Sequence, residues 1–94
     1  MIKLYKDEKR NIYMKMTRRK NISYTIETVT CKVYNSAGKV IETGAGVVQD
    51  KEVYYLLDTT KQYFQSGKDY YVEFHVVITN MSKLVIGRVD IKLL

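Results

Sequence analysis

Few residues in this sequence combine type and spacing in a way that could do chemistry. Glu73 and His75 stand two apart, so on a strand they share a face, and a carboxylate–imidazole pair can hold or move a proton. No nucleophile or third group accompanies them, so the pair reads as an ordinary half-exposed strand contact. Cys31 is the single cysteine and His75 the single histidine. One thiol forms neither an intrachain disulfide nor a cysteine-built zinc site, and no tight carboxylate cluster stands near His75 in sequence. Cys31 alternates with Val29 and Val33, the setting of a buried structural thiol. Gly38-Lys39 and Gly67-Lys68 echo a phosphate loop, but Val40 and Asp69 follow where Ser or Thr is required, and the earlier glycine is missing. They read as turns. Asn21-Ile22-Ser23 and Asn80-Met81-Ser82 match a glycosylation acceptor. That pattern has meaning only behind a secretory leader, and Met1–Glu8 shows none. The expectation is a non-enzymatic chain with no catalytic residue, cofactor, metal or small-molecule substrate.

Charge and aromatic content point elsewhere. The net charge is +6. Residues 1–20 hold eight basic and two acidic residues, whereas residues 21–94 hold eight of each, so the whole excess lies in the first fifth of the chain. Lys15, Arg18, Arg19 and Lys20 cluster between Tyr13 and Tyr24. Such a cluster suits an anionic partner, because cations pair with phosphates while aromatics stack on bases. It also suits an edge strand guarded against aggregation. No recognition helix, zinc finger or RNA-recognition motif accompanies it. Tyrosine is abundant, at nine residues. The pairs Tyr54-Tyr55, Tyr63-Phe64 and Tyr70-Tyr71 exceed what one small core needs. Tyr54, Tyr55, Tyr63 and Tyr71 are therefore candidate interface aromatics.

These side chains must be positioned by strands. Ninety-four residues form one domain, 1–94, with a radius of gyration of roughly 12 Å if compact, and no apolar run approaches the ~20 residues of a membrane span. Alternation dominates over helical periodicity. Ile12, Met14 and Met16 alternate with polar residues, as do Val29, Cys31 and Val33. Asn35-Ser36-Ala37-Gly38 is a hairpin turn returning through 39–42, and Val53–Leu57 is a further strand. Asp58 offers a helix N-cap, so 59–65 is expected to make one or two helical turns stopped by Gly67. The segments 70–79 and 84–93 form the strongest hairpin, with a bulge expected at Gly87. Seven or eight short strands spaced about ten residues apart imply a β-sandwich or small barrel. The expected core is Ile12, Met14, Val29, Cys31, Val33, Val40, Leu56, Tyr70, Val72, Phe74, Val76, Val89 and Ile91.

Ser66-Gly67-Lys68-Asp69-Tyr70-Tyr71-Val72 looks like a tyrosine corner, in which a tyrosine at a strand start bonds upstream backbone; Tyr70 is the better candidate. With it, Thr28–Ile41 resembles the B–C hairpin, and Val53–Thr60 with Gly67–Phe74 the E–F region, of small cysteine-free immunoglobulin-like domains. Such domains recur in structural proteins of tailed phages, including the N-terminal domain of baseplate upper proteins. The resemblance implies an all-β, immunoglobulin-like antiparallel sandwich. It further implies a phage or prophage virion component (tail, head–tail connector or capsid surface), made in the host cytoplasm. Such a component assembles by contacts with other virion proteins or copies of itself and carries no catalytic residues. The other reading is a small basic β-domain that binds nucleic acid without sequence preference.

Overall fold

Alternating sequence becomes, among the described residues, eight paired strands in two sheets. The computed structural model describes residues 1–15, 25–49, 52–78 and 83–94. Among these the regular elements are β1 (Ile2–Leu4), β2 (Lys9–Lys15), β3 (Ile26–Asn35), β4 (Val40–Ala45), β5 (Val47–Gln49), β6 (Glu52–Asp58), β7 (Asp69–Ile78) and β8 (Lys83–Leu93). One sheet has the order β1-β8-β7-β3-β4 and the other β2-β6-β5. All neighbours are antiparallel except β1, which lies parallel to β8. The chain is thus all-β with no helix among the described residues, and in particular none long and apolar enough to cross a membrane. The basic N-terminal stretch is not one unit: its first fifteen residues supply an edge strand to each sheet. Arg18, Arg19, Lys20, Tyr24 and both glycosylation acceptors lie outside the described residues.

The core lies between the sheets. Cys31, Val33, Val72, Phe74, Val76 and Ile91 face Ile12, Val53, Tyr55 and Leu57, all buried. Each large apolar side chain taken fully out of water contributes about 1.5–3 kcal/mol. Two expected core residues are corrected. Val40 is exposed at the start of edge strand β4, and Leu56 is 54% exposed on the outward face of β6. Every residue from 53 to 57 is apolar or aromatic, so composition leaves the phase of β6 open; pairing to β2 puts Val53, Tyr55 and Leu57 inward. Met14 and Val89 are only partly buried, packing against the core. Leu4, Phe64, Ile78 and Leu93 also join it.

Two local expectations fail for physical reasons. Residues 59–65 form turns, not a helix. The Asp58 carboxylate is taken by the backbone N–H (3.0 Å) and hydroxyl (2.6 Å) of Thr60, closing a tight turn, and Phe64 is drawn into the core. One short turn cannot repay helix nucleation. Gly87 is not a bulge, since β7 and β8 stay in register through Phe74↔Gly87. Gly87 instead makes room for β2: a Cβ there would meet Met14 Sδ at 1.7 Å. The register shifts instead opposite Val33/Tyr34, where β4 carries the extra residue Ile41, and between Ile26 and Thr28, where β3 carries the extra residue Glu27.

The molecule measures 43 × 20 × 17 Å with a radius of gyration of 14.0 Å, longer than a compact chain of this size. At about 3.4 Å per residue, the seven-residue strands β2 and β6 are shorter than the ten-residue β7 and eleven-residue β8 they pack on.

Candidate functional site

The outward face of the three-stranded sheet carries an apolar patch. Register places Tyr13 beside Tyr54, Asn11 beside Leu56 and Lys9 beside Asp58 on β2 and β6, while Val47 of β5 flanks Tyr54. Because Ile12, Val53, Tyr55 and Leu57 are inward, these alternate residues are outward. Tyr13 is 48%, Val47 46% and Leu56 54% exposed. The Tyr13 and Tyr54 rings meet at 5.1 Å and 41°, a tilted aromatic pair. Among the described residues, charge on this face falls at its two ends. At one end Lys9 faces Asp58, whose carboxyl is held below its usual range mainly by the Thr60 donors and secondarily by Lys9. At the other end Lys15 stands opposite Glu52. An apolar, aromatic centre with a charged rim is the anatomy of a protein interface.

The four candidate aromatics do not converge. Tyr54 belongs to this patch. Tyr55 is corrected outright: it is buried, with its ring against Gly44 and its hydroxyl donating to Glu42, and its pKa is pushed up by burial and then by that carboxylate. Tyr63 lies on the loop after β6 and also donates to Glu42. Tyr71 is on the other sheet's outer face, stacked on Tyr34 at 4.6 Å beneath the Arg88 guanidinium at 3.8 Å. Of the cationic cluster, only Lys15 falls within a described strand.

Other polar side chains are engaged within the fold. Glu42, on edge strand β4, turns inward with a side chain only 7% exposed, and accepts from Tyr55, Tyr63 and the Lys61 ammonium at 3.0 Å. An inward-pointing charge on an edge strand opposes pairing with another chain. His75 and Glu73 meet at 2.6 Å as their alternation requires, and Tyr34 donates to the same Glu73 oxygen at 3.2 Å. Burial pushes the Cys31 thiol up to about 12, so it stays protonated at neutral pH. Among the described residues no three His, Cys, Asp or Glu side chains converge. Lys39 and Lys68 both line a shallow cleft of about 360 Å³. The adjoining glycine N–H groups are spent on Asn35 O (3.0 Å) and Leu93 O (2.6 Å), leaving no cradle for phosphate.

Tyr70 is where the corner motif puts it. Its hydroxyl accepts from Gln65 N at 2.8 Å and donates to Tyr63 O at 3.3 Å. Sequence reasoning missed Tyr13, Leu56 and Val47 as surface partners of Tyr54. The signal for Tyr13 was present in its alternation with the inward Ile12 and Met14. No family model matches this chain, and no characterised protein or solved structure matches it.

Proposed function

We propose that this chain is a non-enzymatic structural domain of a phage or prophage virion, immunoglobulin-like in fold. It assembles through protein–protein contacts made by the outer face of its three-stranded sheet. The patch of exposed Tyr13, Leu56 and Val47 around half-buried Tyr54, with its charged ends, carries the reading. Strand order supports the fold assignment. β8-β7-β3-β4 corresponds to G-F-C-C′ of an immunoglobulin domain, β2-β6-β5 to B-E-D, and the Tyr70 corner opens the strand equivalent to F. On this reading the hairpin over 28–41 is taken as C and C′ rather than B and C, since both its strands lie in one sheet. Backbone-ordered aromatic surface buried against a partner needs no cofactor, and a rim charge adds register more than affinity.

The test compares tagged wild type with Leu56→Lys through particle assembly in the producing host. Wild type co-purifies with washed particles, and Leu56→Lys, folded by circular dichroism, stays in the soluble fraction. Absence of wild type from particles, or equal incorporation of both, overturns the reading.

A further inference from the structure

The interaction face is complementary to itself. Its basic position at one end, Lys9, lies on β2, and the acidic residue beside it, Asp58, lies on β6. At the opposite end the same order repeats, Lys15 on β2 beside Glu52 on β6. The face thus has a basic strand next to an acidic strand, with Tyr13 and Tyr54 side by side at its centre.

Two copies can stack these faces about a two-fold axis in only two simple ways. An axis across the strands places Lys9 over the partner's Lys15 position, like on like. An axis parallel to the strands, running between β2 and β6, exchanges the two strands. Lys9 then faces the partner's Asp58, the Lys15 position faces the partner's Glu52, and Tyr13 lies over the partner's Tyr54. Packed sheets cross at about 30°, which displaces strand ends by roughly one strand spacing of about 4.8 Å, a gap a lysine side chain spans. Resting on the assembly role proposed above, we propose that the occupant of this face is a second copy of this chain, related by the two-fold axis parallel to β2 and β6. The contact is isologous: each pair occurs twice.

The axis superposes only β2 and β6, strands of about 23 Å each, on their partners, so the footprint lies below that of standard specific interfaces. The dimer is therefore a weak one, populated only at high protein concentration. The +6 charge on each copy opposes association at low salt, and screening over about 8 Å at physiological ionic strength removes most of that repulsion while leaving the adjacent pairs.

The two-fold predicts an asymmetric rescue. Lys9→Glu places glutamate against the partner's Asp58 twice, and Asp58→Lys places lysine against the partner's Lys9 twice. Each variant should lose self-association by roughly tenfold or more. Mixed in equal amounts, the two variants form a heterodimer in which both contacts are opposite in sign. Sedimentation equilibrium of wild type, each variant and the mixture reads this directly, with Leu56→Lys as a second interface variant and circular dichroism to establish folding. Wild-type dimerisation, loss in Lys9→Glu, Asp58→Lys and Leu56→Lys, and recovery on mixing support the proposal. A wild type that stays monomeric to submillimolar concentration overturns it, as do charge variants that associate like wild type or a mixture that does not recover. If wild type is monomeric while particle incorporation still depends on Leu56, the dimer falls and the assembly role stands with another protein on this face.

Discussion

At the scale of single residues, hydroxyls and one thiol carry the least obvious consequences. Tyr70 uses its hydroxyl twice, toward Gln65 N and Tyr63 O, and its ring packs edge-on against Phe64 at 5.1 Å. Tyr70→Phe should cost about 0.5–1.5 kcal/mol, whereas Tyr71→Phe, which keeps its stack on Tyr34, should stay within about 0.5 kcal/mol. Urea melts of both compare them, and a larger loss at Tyr71 would refute the corner. Cys31 and Tyr55 both hold their protons more tightly when folded, through burial. Their contribution is complete below the unfolded pKa values, about 8.5 and 10, and is lost as pH rises toward the folded ones. Stability should therefore decline steadily above about pH 8.5. In melts across the alkaline range, Cys31→Ala should lower stability at neutral pH yet flatten the first part of that decline. An unchanged slope would exclude the thiol.

At the scale of elements, close approach between strands is what the chain had to encode. Gly87 on β8 lets Met14 of β2 lie against the other sheet. Gly87→Ala should destabilise by about 1–3 kcal/mol, and Met14→Ala should remove much of that penalty. A double-mutant cycle measures the coupling, and simple additivity would mean that the two residues do not meet. The strands themselves were largely legible. β3 and β7 alternate so regularly that Val29, Cys31, Val33, Tyr70, Val72, Phe74 and Val76 could be assigned inward without coordinates. β6 could not be phased, because Tyr54 and Leu56 are as apolar as Val53, Tyr55 and Leu57, and only the partner strand distinguishes the sets. The same ambiguity hid most of the proposed interaction face, since Leu56 was expected inside and Tyr55 outside. The 59–65 turns were illegible because Asp58 serves a cap and a tight turn equally well, and the choice rests on Phe64 finding the core.

At the scale of the whole molecule, charge separates the two functions the sequence admits. The described surface mixes both signs, with Arg88 beside Asp90 and Lys61 on Glu42, so the uncompensated charge is that of the first twenty residues. Nucleic-acid affinity would then depend on Lys15, Arg18, Arg19 and Lys20. About four phosphates on a single strand would give a log–log salt slope of roughly −3. On the structural reading, titration of labelled single- and double-stranded DNA should show weak binding that vanishes near physiological salt. Micromolar binding that persists there, and is abolished when the four are changed to glutamine, would favour the nucleic-acid function instead.

The parallel pairing of β1 with β8 has a mechanical side. Ile2, Lys3 and Leu4 run alongside Ile91, Lys92 and Leu93 in the same direction, and Leu94 N donates to Leu4 O at 2.7 Å. Tension applied through Met1 and Leu94 pulls the two strands in opposite senses along their common axis. The bonds between them are then loaded together in shear rather than opened one after another, as they would be in an antiparallel hairpin pulled from its open end. A chain stretched along this axis would resist until the whole clamp failed at once. Single-molecule stretching with handles at residues 1 and 94 should show one high-force event, and handles moved to residues 69 and 94, which peel β7 from β8, should show a markedly lower one.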